Sequence, residues 1–313
     1  MVYFSASQCI PWLVVLIIEC LAIIILNIIT IVVFVKKKRQ LQRRSTYLII
    51  HLAIVDLSAG AVSEPLQIED SMAKFCNLWK YRSEINWLYH IKLAFRHLFS
   101  FASLGNLVVI ALERLHATFF PFRHRFIEKW VYRVTIIVVW LTSTTREVAQ
   151  IVLSEESQDG NKKLANKILY FPVYIFAIFI ICVSYSLIAI KVRCRRHPQF
   201  HLAAKIERKL TGTSLIVSLA SLLCFLPAVT YLSIFYFLRP LKSFHFHMAA
   251  LFTFLANSLI NPAIYASRMP GFRAGLLQIF FGAPNLLKAP VNLPLCKLRA
   301  VASTRQDEAI ALS

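Results

Sequence analysis

Residues 10–35 read IPWLVVLIIECLAIIILNIITIVVFV, an apolar run in which Glu19, Asn27 and Thr30 stand almost alone. A helix needs roughly 20 such residues to cross a bilayer, so this run predicts one membrane span. Comparable runs follow near 46–70, 87–119, 130–153, 168–192, 210–238 and 245–267. The pattern predicts seven helices, the second, third and sixth carrying charge within them. The first run exceeds the apolar core of a secretory signal, lacks a basic start and is followed by no small-residue cleavage site. It is therefore predicted to be retained as a span.

Polar positions inside these runs carry the next inference. Residues 257–268 read NSLINPAIYASR, which puts Asn257, Ser258, Asn261 and Pro262 within six positions of an apolar helix. The first run holds Asn27, the second Asp56, and the third Ser103 and Asn106. An ionised Asp in mid-membrane costs about 2.5–3.5 kcal/mol, and a mid-helix proline frees a backbone carbonyl. The least costly remedy is one buried polar layer drawn from several helices, completed by water or a cation. Plain helix-to-helix glue is the rival reading. Interhelical hydrogen bonds in membranes average only about 0.6 kcal/mol, so glue alone offsets a buried charge poorly.

Composition and charge agree with a membrane location. Hydrophobic residues make up 58% of the 313 positions, and the net charge is +20. The charge is not spread as a nucleic-acid footprint would be. KKKRQLQRR (36–44), RHRFIEKWVYR (123–133), KVRCRRH (191–197) and KIERK (205–209) all fall in alternate links. The other links hold fewer basic residues, among them Lys74, Lys80, Arg82, Lys92, Arg146, Lys162, Arg239 and Lys242. This alternation places the N-terminus outside and the C-terminus in the cytoplasm, most simply at the plasma membrane, and excludes nucleic acid as a partner. None of the seven cysteines forms a C-x-x-C pair. Cys20, Cys182 and Cys224 lie within spans as packing residues; Cys194 and Cys296 lie on the cytoplasmic side. Cys9 and Cys76 both fall outside, where a disulfide between them is possible. No Gly-rich phosphate loop and no Ser/His/Asp order points to an enzyme. No cofactor is implied, a monovalent cation at the polar layer aside.

Near the end of the third run stands ALERLHATFFPFRHR (111–125), with Glu113 and Arg114 adjacent. Glu207 lies twenty residues before Pro227, about 30 Å along a helix, which sets it level with Arg114 at the cytoplasmic end. Opposite charges at one depth can pair across helices.

The chain resembles a rhodopsin-like (class A) G-protein-coupled receptor over residues 8–282. Asn27, the LAIVD around Asp56, the ERL at Arg114, Trp140, Tyr185, CFLP (224–227) and NPAIY (261–265) match that family's motifs in order, one on each span. Phe272 matches the start of its short eighth helix. The resemblance implies an all-α membrane protein: a seven-transmembrane bundle over 1–282, a short amphipathic eighth helix at about 270–281, and a flexible cytoplasmic tail over 283–313. It implies that Asp56, Ser103, Asn257 and Asn261 hold a sodium ion in the inactive state, within a polar layer that includes Asn27 and Ser258. It implies that Arg114 pairs with Glu113 and Glu207. Outward movement of the sixth helix about Pro227 would then free Arg114 for a heterotrimeric G protein. Phe225 would serve as pivot, and Pro262, Tyr185 and Tyr265 as parts of the switch.

Several positions depart from the pattern. Tyr89 stands where the usual disulfide cysteine of the third helix would be, and the loop 146–167 has no cysteine. Leu115 replaces the tyrosine of D-R-Y, Phe225 the tryptophan of C-W-x-P, and Ala177 the fifth-helix proline. Similar losses occur in melanocortin, cannabinoid and lysophospholipid receptors. NPAIYASRMPGFR and PFRHR resemble adenosine receptors, yet Leu232 and Leu255 replace the asparagine and histidine expected there. Arg96 stands where amine receptors carry an aspartate, which disfavours a biogenic amine and leaves a peptide, lipid or other small molecule. Candidate ligand-pocket residues are Lys92, Arg96, His97, Glu64 and Tyr231. Arg96 either anchors a ligand carboxylate or phosphate, or is neutralised internally by Glu64; the internal pair is the favoured reading. His245 and His247 read most simply as exposed loop histidines. Two alternatives to signalling remain: a receptor-like scavenger that does not couple, and a transporter, which would show repeats or paired broken helices that are not seen.

Overall fold

The computed structural model describes residues 4–36, 46–76, 86–156, 159–194, 201–234 and 243–281. Among them the regular structure is entirely helical. The long helices are α1 (Ala6–Lys36), α2 (Thr46–Cys76), α3 (Asn86–Phe119), α4 (Lys129–Glu156), α5 (Asp159–Cys194), α6 (His201–Ser233) and α7 (Phe244–Arg268), followed by the shorter α8 (Pro270–Phe281). A single turn of helix, Pro121–Phe126, joins α3 to α4. Several helices outrun their apolar stretches. α2 continues from 70 to Cys76, while α5 and α6 begin at Asp159 and His201 rather than near 168 and 210. Hydropathy marks only the part of a helix that needs hydrocarbon, and its polar turns continue into water.

Six of the helices are long and apolar enough to cross a membrane. α4 is long enough, but its second half reads LTSTTREVAQ. Four of its hydroxyls are satisfied within the helix: Thr135, Thr142, Ser143 and Thr144 each donate to the carbonyl four residues back, at 2.7–2.9 Å. This lets a Ser/Thr-rich segment stand in lipid. The bundle is inverted in polarity relative to a water-soluble one. Ile18, Leu21, Ile25, Val134, Ile137, Leu141, Ile175, Phe176 and Phe179 are exposed, while Glu19, Asn27, Asp56, Glu64, Ser103, Asn106 and Arg114 are buried. Such an apolar girdle is suited to lipid, not to water. The chain is a multi-pass membrane protein with the seven-helix architecture.

α2 is not a uniform helix. Residues Ala59–Ser63 form a π turn, in which Glu64 N–H donates to Ala59 O, five residues back. Pro65 supplies the reason: it has no N–H and its ring excludes the carbonyl of Ala61, so the ladder skips a residue just before it. Gly60 lies in this turn, where a Cβ would come within 2.8 Å of Ile23 Cγ2 on α1. The absence of a side chain lets α1 and α2 meet there. Beyond the turn, two faces part. Ser63 donates to Phe95 O (2.7 Å) and Gln67 to Arg96 O (3.1 Å), so positions 63, 67 and 70 face α3. Positions 64, 68, 71 and 75 face α1 and α7 instead, with Ser71 against His247 and Phe75 against Phe244.

Two apolar clusters cap the buried polar layer. One gathers Leu16, Ile68, Met72, Met248 and Leu255 on the side of the Cys9–Cys76 disulfide. The other gathers Phe34, Leu52, Leu107, Ile181, Tyr185 and Tyr265 at the opposite end. α8 is held there by Phe272, which packs on Phe34 and Tyr265 with ring centroids 5.4 and 6.1 Å apart.

Candidate functional site

The polar layer is built around Asp56, which is fully buried. Ser103 Oγ donates to Asp56 Oδ1 at 2.9 Å, Ser258 Oγ to the same oxygen at 3.1 Å, and Asn261 Nδ2 to Oδ2 at 2.7 Å. Asn257 Nδ2 reaches Ser103 Oγ at 3.5 Å. Three helices, α2, α3 and α7, thus close on one carboxylate. Asn27 brings in α1. Pro262 has no N–H to donate to Ser258 O, and Asn27 Nδ2 donates to that carbonyl at 3.1 Å and to Ile23 O at 3.0 Å. A proline that would leave an orphan carbonyl in lipid is matched by an asparagine from the neighbouring helix.

Some acceptors in this layer remain unused. Asn27 Oδ1, Asn257 Oδ1 and Asn261 Oδ1 are buried without a hydrogen-bond partner. A narrow cavity reaches Asn257 and is lined also by Glu64, Ser100, Ser103, Phe225 and Ser258. One carboxylate, one hydroxyl and two orphan amide oxygens make a donor set of hard oxygens, which fits a small cation such as sodium. Asp56, Ser103, Asn257 and Asn261 would hold it.

A second network closes the other end of α3. Arg114 is buried, and its guanidinium grips Glu113 through Nε and Nη2, the latter to Oε1 at 2.6 Å. Glu113 also accepts from His124 Nε2 (2.8 Å), on the short helix after α3, and from Tyr132 OH (3.4 Å) on α4. Tyr185 is buried on α5 and accepts from Ser218 Oγ of α6 at 3.2 Å. Tyr265 is buried against Phe34, edge-on at 6.0 Å. Phe225 packs between Tyr174 (5.9 Å) and Phe254 (5.6 Å), about half a turn before the half-buried Pro227. The backbone of Glu207 is helical, but its side chain lies outside the described residues, as do Cys296 and the tail 283–313.

The candidate ligand-pocket residues divide among several neighbourhoods. Arg96 pairs with Asp70 at 2.8 Å, not with Glu64. The π turn before Pro65 explains this: position 70 shares the face of 63 and 67 toward α3, whereas 64 is rotated toward α1. Glu64 is buried there beside the Cys20 thiol, which hydrogen-bonds it. Lys92 reaches Glu69 at 3.4 Å. His97 is half-buried on α3. Tyr231 packs on Phe246 and His247, 5.7 and 4.9 Å between centroids. His245 and His247 belong to the first turns of α7, not to a loop. His245 accepts from the Trp12 indole at 3.1 Å, and the half-buried His247 meets Ser71 Oγ at 3.2 Å. Cys9 and Cys76 are bonded, tying the start of α1 to the end of α2. Cys20 and Cys224 are buried, while Cys182 faces outward.

Sequence reasoning passed over some of these groups. Arg146, counted with an outer link, is buried within α4, ion-paired to Glu147 and stacked over the Phe101 ring at 3.8 Å. Two adjacent charges near the end of an apolar run were the available signal. His51 meets Asn106 Oδ1 at 3.2 Å and packs edge-on to Trp140 at 6.0 Å. Nothing local to either residue announces that contact, because it joins three helices.

Known proteins share this architecture. The family described as 7 transmembrane receptor (rhodopsin family) matches residues 26–265. Among curated proteins, the chain is 24% identical to neuropeptide FF receptor 2 of Mus musculus, over 80% of this chain and 68% of that protein. It is 27% identical to the histamine H2 receptor of Homo sapiens, over 77% of this chain and 72% of the receptor. It is 20% identical to the substance-P receptor of Aquarana catesbeiana, over 82% and 67% respectively. With a family match across most of its length and a helical bundle that carries its polar residues inward, the chain belongs to the rhodopsin family of seven-transmembrane receptors.

Proposed function

We propose that this protein is a plasma-membrane receptor, not an enzyme, that transmits an extracellular ligand signal to heterotrimeric G proteins. Its N-terminus would lie outside and its C-terminus in the cytoplasm, as the alternation of basic links suggests. The observation that carries the reading is the buried Arg114, clamped by Glu113 at one end of α3 while Ser103 of the same helix binds Asp56. One rigid helix thus connects a cation-suited layer to a guanidinium that can be released. Ligand binding would shift the population toward a state in which α6 has swung outward about Pro227 and Arg114 faces the G protein. Tyr185 and Tyr265 are placed to follow it. Sodium at the Asp56 layer would add positive charge that steadies the resting arrangement.

The ligand class stays broad. The relatives' names include a neuropeptide FF receptor, a substance-P receptor and a histamine H2 receptor. Arg96, neutralised by Asp70, offers no free acid at the place where amine receptors carry an aspartate. A peptide, a lipid or another small molecule fits better. The test needs no ligand. Wild type and Glu207→Ala, at matched surface levels, are compared across a panel of G-protein dissociation sensors. Glu207→Ala should raise basal signal in one or two subtypes, and adding Arg114→Ala should abolish it. A flat response in every sensor would favour a receptor-like scavenger that does not couple.

A further inference from the structure

The short helix Pro121–Phe126 and the first turns of α4 carry aromatic and cationic side chains that the bundle itself does not use. Phe122 and Phe126, four residues apart on the short helix, are 78% and 80% exposed, the highest values among the large apolar residues described. Trp130 is 53% exposed, and its indole makes no hydrogen bond or ring contact among the described residues. Arg123, Lys129 and Arg133 are exposed and hold no acid among the described residues, whereas Arg96, Arg114 and Arg146 each hold one. Glu128, also exposed, is the only acid between Glu113 and Glu147. Basic charge is therefore left over on this surface, beside unpartnered aromatic rings.

The placement of Trp130 points to what covers it. At about 100° per residue, Val134, Ile137, Val138 and Leu141 all fall within about 80° of Trp130 around α4. All four are exposed and belong to the apolar girdle suited to lipid. Trp130 thus ends a lipid-facing stripe, where one side of an indole meets hydrocarbon and its N–H meets polar headgroups. From Trp130 to Leu141 the stripe runs about 16 Å, close to the half-thickness of a bilayer's hydrocarbon, about 15 Å. Arg133 and Lys129 stand about 60° and 100° to one side of Trp130, so the cations flank the end of the stripe. A free anion in water would meet only the cations; a phospholipid meets the cations with its headgroup and the stripe with its chains. We infer that Lys129, Trp130 and Arg133, with Arg123 on the preceding helix, form a binding surface for an anionic phospholipid. The basic side chains take the headgroup phosphate, and an acyl chain follows Val134, Ile137 and Leu141. The inference rests on the membrane location of α4 and not on G-protein coupling.

The test uses the full chain in nanodiscs of phosphatidylcholine. The emission of Trp130 is taken as the difference between wild type and Trp130→Phe. A small, equal fraction of lipid brominated near the headgroup end of its chains is then included, either as phosphatidylserine or as phosphatidylcholine. Bromine quenches an indole only at close range, so the quenching reports which lipid lies on Trp130. Brominated phosphatidylserine should quench this emission about three times as strongly as brominated phosphatidylcholine. In Lys129→Gln/Arg133→Gln the two lipids should quench equally. Salt raised to about 1 M, where the Debye length is about 3 Å, should also erase the preference in the wild type. Equal quenching by both lipids in the wild type overturns the inference, as does a preference that survives Lys129→Gln/Arg133→Gln. No quenching by either lipid places Trp130 against protein and overturns it too. Should the double variant not fold, the salt series on the wild type decides, and a preference unchanged by salt refutes the electrostatic site.

Discussion

Replacing Glu113 by Gln removes one charge from the closed end of α3 and little volume. In the present arrangement Glu113 accepts two bonds from Arg114, one from His124 at 2.8 Å and one from Tyr132 at 3.4 Å. The two side chains of the ion pair are only 6% and 8% exposed, so water screens little of their attraction. A hydrogen bond to a charged group is worth about 1.5–3 kcal/mol net, and glutamine can accept at only one of its two positions. We therefore take the loss to the clamped state as about 2 kcal/mol, which changes the ratio of released to clamped receptor about thirtyfold. If about 1% of the receptor is released at rest, about a quarter would be released in Glu113→Gln. The assay is basal G-protein dissociation in cells, with surface expression matched by flow cytometry. Glu113→Gln should raise the signal without ligand, and Arg114→Ala in the same background should return it to that of untransfected cells. An unchanged basal signal, with the variant at the surface, would refute the claim that this ion pair restrains the receptor.

Three further predictions concern the bundle itself. Asn27→Leu should cost about 1–3 kcal/mol by leaving Ser258 O unpaired; Pro262→Ala should recover much of it, because alanine restores the missing N–H, and the coupling is read as a double-mutant cycle of thermal stability. Gly60→Ala should lower the melting temperature, since its Cβ meets Ile23 Cγ2 at 2.8 Å; Ile23→Ala should partly rescue it, and no rescue would mean that backbone, not side chain, limits the contact. Cys76→Ser opens a bond that spans 67 residues and should cost at most about 4 kcal/mol, with an equal loss in Cys9→Ser and no further loss in the double variant.

Much of the architecture follows from the chain alone. Six runs apolar enough to span, with the long but more polar α4 as a seventh, leave few folds open, because lipid requires each backbone group to bond within its own helix. The polar positions were equally visible: Asn27, Asp56, Ser103 and Asn261 stand out because hydrocarbon makes each of them costly. Their residue types already suggest a common layer. The pairing within that layer was not legible. That Asn27 would serve the carbonyl freed by Pro262, or that Ser258 would share an Asp56 oxygen with Ser103, depends on how α1 and α7 are rotated against α2.

The charged outer half shows this limit most clearly. Sequence spacing favoured Glu64 as the partner of Arg96, and the structure pairs Arg96 with Asp70 instead. The π turn before Pro65 decided it, because one inserted residue turns every later position by about 100°. The same rotation left Glu64 facing α1, beside the Cys20 thiol. Arg146 and His247 moved from expected links into helices for a related reason: a helix continues past its apolar run wherever neighbouring helices can satisfy its polar side chains. Hydropathy along one chain thus determined which segments enter the membrane and which residues need partners. The partners themselves were decided only when the helices packed, since helix rotation is a property of the bundle and not of any single span.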